Sequence, residues 1–113
     1  NNEKVFEHYE QVAMQLEKLE KRQRKRPKPE NKVKIQTFQN ARIKLAEHYL
    51  KINDLKKAFN MIEKIPVSVE RYELSAKYYV KINQKENAIS IYKQLNSRLE
   101  TTKYDAEINA LTK

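Results

Sequence analysis

The side chains able to do chemistry in this chain are few and scattered. Its two histidines, His8 and His48, stand 40 residues apart. A helical metal site needs two histidines one turn apart, so both read as ordinary surface or boundary residues. Carboxylate pairs such as Glu7/Glu10 and Glu17/Glu20 share the polar face of one helical segment, where nothing converges on a pocket for acid–base work. Glu17 and Lys21 have instead the i, i+4 order that supports a helix by a few tenths of a kcal/mol. With no Cys, thiol catalysis, disulfides and Cys-bearing zinc sites are excluded together. With no Gly, phosphate-cradling loops are excluded as well. No catalytic, cofactor-binding or metal-binding residue is expected, and the chain reads as a non-enzyme without a cofactor.

Seven tyrosines suggest base stacking. Tyr49, Tyr72, Tyr79 and Tyr92 fall on apolar stripes, however, where the ring packs and the hydroxyl stays near water. The basic residues are a separate matter. Net charge is +9, yet Lys18–Lys34 alone holds nine Lys/Arg against Glu20 and Glu30, a local +7. The remaining 15 basic and 13 acidic side chains leave +2. The basic patch of Lys21, Arg22, Arg24, Lys25, Arg26 and Lys28 contains no aromatic residue. It is expected to form a solvated loop. A weak contact with nucleic-acid phosphates or an anionic membrane surface is the alternative, and it would be nonspecific and salt-dependent.

The elements that must position these groups follow from periodicity. At 113 residues the chain is one domain by length, with room for five or six helices. The absence of Gly argues against strand-and-turn folds, which need positive φ at many turns. Val5, Tyr9, Val12, Leu16 and Leu19 recur at helical steps, flanked by Phe6 and Ala13, and predict a helix over 5–22. Its narrow seam packs on the next helix or, alternatively, on a partner chain. Pro27 and Pro29 end that helix, and a loop over 23–32 follows. Helical spacing returns from 33, breaks at Asn53-Asp54, resumes with Leu55, Ala58, Phe59, Ile62 and Ile65, and stops at Pro66. Asn53 suits the left-handed turn in a chain without Gly, and Asp54 can cap the helix after it. A second unit over 68–96 is capped by Ser68. Gln84 stands where Asp54 stood and should cap less firmly. Thr101 or Thr102 would open a last helix over 101–112.

The two units are one sentence written twice. Ala46–Ile65 and Ala76–Leu95 align at an offset of 30 residues without a gap. Ala46 recurs as Ala76, Tyr49 as Tyr79, Lys51-Ile52-Asn53 as Lys81-Ile82-Asn83, and Ala58 as Ala88. A fixed period of this kind marks a helical unit that must stack on a neighbour to bury its face. Leu45, Ala46, Tyr49, Asn53-Asp54, Ala58 and Pro66, with Ala76, Tyr79, Asn83 and Ala88, resemble the tetratricopeptide (TPR) repeat. The resemblance covers about half of the chain. The period is shorter than the family's roughly 34 residues, and Arg42 stands where that family has an early aromatic. A period near this one also resembles the α-solenoids of vesicle-coat and tethering proteins.

The resemblance implies an all-α fold of antiparallel helical hairpins stacked as a short TPR-like right-handed α-solenoid. It further implies a protein–protein interaction module or scaffold that holds another protein or a peptide on its concave helix face. Carried over by position, that face would present Asn40, Ile43, Glu47, Leu50 and Lys51 in the first unit. Glu70, Glu73, Lys77, Val80 and Lys81 would follow in the second. The carboxylate clamp of one TPR subclass needs a Lys and an Asn one turn apart. Ile43/Glu47 and Glu73/Lys77 stand there instead, which removes support for that ligand. Zero Cys fits an intracellular (cytoplasmic) reducing compartment, and a chain beginning at Asn1 without Met fits a fragment of a longer one.

Ala58 and Ala88 are the small residues at which two helices approach closely. Ala58→Leu or Ala88→Leu is expected to destabilise by about 1–3 kcal/mol through overpacking. Denaturant melts check this, and two neutral results would show that the repeat register is misplaced.

Overall fold

The computed structural model describes residues 2–113, with side chains from Lys4 onward. Six helices follow one another: α1 (Asn2–Lys25), α2 (Pro29–Lys51), α3 (Leu55–Lys64), α4 (Val69–Lys81), α5 (Lys85–Leu99) and α6 (Asp105–Thr112). No strand occurs among the described residues. Each helix packs on the next, and α2 also meets α4. The radius of gyration is 15.9 Å, against about 13 Å for a compact chain of this length, so the helices form an extended slab. No described helix is long and apolar enough to cross a membrane.

The repeated sequence makes a repeated turn. Asn53 N–H donates to Leu50 O (3.2 Å) and Asp54 N–H to Tyr49 O (2.9 Å). Thirty residues on, Asn83 N–H donates to Val80 O (3.1 Å) and Gln84 N–H to Tyr79 O (2.8 Å). This is the Schellman arrangement, which requires a left-handed residue just past the helix end. Asn53 and Asn83 supply it at φ 62° and 63°. Asp54 then accepts from Lys57 N–H, and Ser68 from Arg71 N–H, while Gln84 makes no side-chain cap. Ala58 and Ala88 are fully buried where their helices meet α2 and α4. Ile65 is extended ahead of Pro66, as the proline ring demands, and α3 stops there.

The expected loop over 23–32 is corrected. Helix α1 runs to Lys25 and α2 begins at Pro29, so only Arg26–Lys28 is non-helical. Pro29 occupies the first helical turn, where its missing N–H is no loss, and Lys28 before it is extended. The prolines therefore make a tight corner, and like-charge repulsion does not melt the flanking helix ends. The seam of α1 lies where expected except at its start. Phe6, Tyr9, Ala13 and Leu16 face the core, and Val5 is exposed. At the C-terminal end, neither Thr101 nor Thr102 caps α6. Asn96 organises that turn instead: its Oδ1 accepts from Tyr104 N–H (3.1 Å) and its Nδ2 donates to Asp105 (2.9 Å).

The core falls into two clusters. One joins Ala13 of α1 to Leu45, Ala46, Tyr49, Leu50, Ala58, Ile62, Ile65 and Leu74. The other joins Ala76, Ala88, Tyr92, Leu95 and Tyr104. Between α1 and α3, which make no close backbone approach among the described residues, the tie is polar. Arg42, only 2 % exposed, grips Glu20 of α1 with both guanidinium Nη atoms (3.0 and 2.5 Å). It also donates to Lys64 O at the end of α3 (3.0 Å). Lys64 Nζ in turn pairs with Glu17 of α1, and this bond holds the Glu17 carboxyl below its ordinary range. Arg71 of α4 donates to the adjacent Ile65 O (2.8 Å). Two guanidinium groups thus take carbonyls that the end of α3 leaves free.

Helix α6 is fastened by Tyr104, which is buried, stacks on Tyr92 (centroids 5.5 Å apart) and donates its hydroxyl to Glu73 of α4 (3.0 Å). Burial, then the bond to Glu73, pushes its pKa up to about 12.

Two measurements follow. Glu20→Ala leaves the buried Arg42 charge unpaired and is expected to lower stability by about 3 kcal/mol in urea melts. The double change Glu20→Leu/Arg42→Met is expected to recover most of that loss. Tyr104 is neutral when folded and its folded pKa is raised, so its contribution is complete below about pH 10 and is lost as pH rises toward 12. Stability measured from pH 8 to pH 11 should fall on the alkaline side, and Tyr104→Phe should flatten that fall.

Candidate functional site

A groove of about 440 Å³ is formed by α2, α4, α5 and α6. Leu50, Val80, Tyr92, Ala110 and Leu111 make it apolar, and Glu47, Lys51, Lys77, Lys81 and Glu107 bring charge to it. Helical spacing explains the first wall: Glu47, Leu50 and Lys51 are three and four residues apart and share one face of α2. The same spacing one period later brings Lys77, Val80 and Lys81 to the matching face of α4. Leu50 is buried, whereas Val80 keeps 36 % of its surface exposed. Tyr92 reaches the groove from α5, and burial raises its pKa, with Glu107 and Glu73 adding to the rise.

The electrostatics are uneven. Glu47 sits 3.9 Å from Lys44. Among the described residues, Lys51, Lys77 and Lys81 have no carboxylate within salt-bridge distance. Three unpaired ammonium groups therefore border a mainly apolar concavity.

Of the residues expected on this face, Glu47, Leu50, Lys51, Lys77, Val80 and Lys81 are brought together. The others are placed elsewhere. Asn40 and Glu70 are exposed away from the groove lining. Ile43 packs against the first core cluster. Glu73 is engaged by the Tyr104 hydroxyl and holds α6 in place. The sequence reading missed Tyr92 and the α6 wall of Glu107, Ala110 and Leu111. A signal for the latter exists: Ala106 stands 30 residues after Ala76 and 60 after Ala46. That puts Ala110 in the register of Leu50 and Val80.

At the far end of α2 lies a second concavity of about 380 Å³, lined by Arg22, Lys25, Arg26, Lys28, Glu30, Asn31 and Lys34. Lys21 and Arg24, also expected in the basic patch, are exposed and do not line it. The histidines lie outside both concavities. His8 is exposed, and His48 stacks on Phe6 with centroids 3.6 Å apart. Among the described residues no three His, Cys, Asp or Glu side chains come together as a metal site. Neither protein-family models, nor curated proteins, nor solved structures contain a match to this chain.

Proposed function

We propose that the chain is a non-enzymatic protein–protein interaction module that receives an acidic, amphipathic segment of a partner protein in the α2/α4/α6 groove. The supporting observation is the combination of an apolar concavity with three unpaired lysines, Lys51, Lys77 and Lys81. Apolar side chains of the segment would enter beside Leu50, Val80 and Leu111, and its carboxylates would meet the lysines. Apolar burial supplies the affinity of such a contact, and charge complementarity supplies orientation and rate of encounter.

On this reading the architecture is a short TPR-like right-handed α-solenoid. The pairs α2–α3 and α4–α5 are its two hairpin units, α1 covers one end, and α6 opens a third unit. The identical turns 30 residues apart and the contact of α2 with α4 support it.

The test uses a helical peptide with apolar residues at i, i+3, i+4 and i+7 and Glu on its other face, compared with the same peptide carrying Lys for Glu. The acidic peptide is expected to shift the NMR signals of Leu50, Val80 and Leu111. Lys51→Glu/Lys77→Glu/Lys81→Glu should weaken it by about tenfold or more. Equal binding of the two peptides, or shifts confined to other surfaces, would overturn the reading.

A further inference from the structure

Three features of the basic corner between α1 and α2 bear on what it can bind, and the first two set it apart from a flexible polybasic tail. Its backbone is fixed. Arg26 N–H donates to Arg22 O (2.7 Å), Lys28 N–H donates to the Gln23 side chain (2.9 Å), and Pro27 and Pro29 restrict the φ angles between them. Its cations converge: Arg22, Lys25, Arg26, Lys28 and Lys34 line one concavity, with Glu30 as its one carboxylate. Finally, its charge is uncompensated. Among the described residues none of these five has a carboxylate within salt-bridge distance, as is also true of Lys51, Lys77 and Lys81 at the groove. Five like charges held at one corner repel one another, and a multivalent anion would relieve that repulsion.

The shape of the site narrows the anion. Guanidinium forks and ammonium groups both suit phosphate oxygens. A nucleic acid offers a linear track of single charges, and unspecific single-strand binders add aromatic platforms for the bases. Here the concavity is compact, and no aromatic side chain lines it. Several dianionic groups close together match five converging cations better than a phosphodiester chain does. Because the two helix ends already hold the cations in place, little ordering remains to oppose binding.

We propose that the α1–α2 corner is a preformed site for clustered phosphomonoester groups, such as those of a polyphosphorylated inositol, either free or as a lipid headgroup. It lies at the opposite end of α2 from the groove and does not depend on the groove's being occupied.

Three probes test this on the full chain at physiological salt: inositol hexakisphosphate by calorimetry; phosphatidylcholine vesicles with and without a phosphatidylinositol bisphosphate by co-sedimentation; and duplex DNA by anisotropy. Binding of the soluble probe, or of the bisphosphate vesicles alone, is expected, and which of the two binds identifies the source of the ligand. Arg22→Gln/Arg26→Gln/Lys28→Gln should weaken that binding at least about tenfold. All three positions are exposed, and an unchanged circular dichroism spectrum verifies the fold. Lys56→Gln/Lys85→Gln/Lys93→Gln removes the same charge elsewhere and should have little effect. The proposal is overturned if neither phosphomonoester probe binds, if duplex DNA binds more tightly than both, or if the two triple variants weaken binding equally.

Discussion

The Arg42 guanidinium is the constraint on which the N-terminal half of the molecule depends. It sits on the apolar face of α2, almost without solvent, and connects three helices at one point: α1 through Glu20, its own helix through Gln39, and the end of α3 through Lys64 O. A charge in such a place is tolerated only when its hydrogen-bonding capacity is nearly filled, and among its nitrogens only Nε has no partner among the described residues. The arrangement also serves α3. That helix has ten residues, too few to be stable by propensity, and its C-terminal carbonyls carry partial negative charge. Arg42 from one side and Arg71 from the other meet that charge. The N-terminal cluster therefore owes its arrangement to apolar burial and its register to two guanidinium groups.

The parts of this fold that are legible in the sequence are those set by local backbone rules. Asn53 and Asn83 mark the left-handed turns because few residues other than Gly enter that region readily. Ala58 and Ala88 recur at matching places of the repeat, and both are wholly buried. The first wall of the groove follows from the repeat alone, since Glu47/Leu50/Lys51 and Lys77/Val80/Lys81 occupy the same turn of two equivalent helices. The illegible parts are those that run against average behaviour. Hydropathy sends arginine to the surface, so Arg42 reads as a departure from the TPR pattern when it is a core residue. Glu20 lies one turn beyond Leu16 on the buried stripe of α1, and its coupling to Arg42 spans 22 residues of chain. A run of like charge reads as solvated coil, yet two prolines suffice to turn it within Arg26–Lys28. Helix α6 is held by a tyrosine hydroxyl reaching a carboxylate 31 residues away, a contact without a local signature.

Charge is partitioned along α2. One end contributes Lys34 to the basic corner, and the other contributes Glu47 and Lys51 to the groove. The separation between Lys34 and Leu50 is about 24 Å along the helix axis, beyond the Debye length of about 8 Å at physiological ionic strength. The two concavities are therefore electrostatically independent in solution, and the +9 of the whole chain describes neither.

The division of the core bears on how the molecule comes apart. Leu74 belongs to the N-terminal cluster and Ala76, two residues later on the same helix, to the C-terminal one. Among the described residues, helix α4 is the only element that contributes a buried residue to both. Each half thus has the makings of a separate foldon, with α4 as the hinge pin that makes their opening cooperative. Amide protons of α5 and α6 can then exchange through a partial opening that leaves Arg42 and its partners intact, whereas an opening that frees α4 exposes both halves at once.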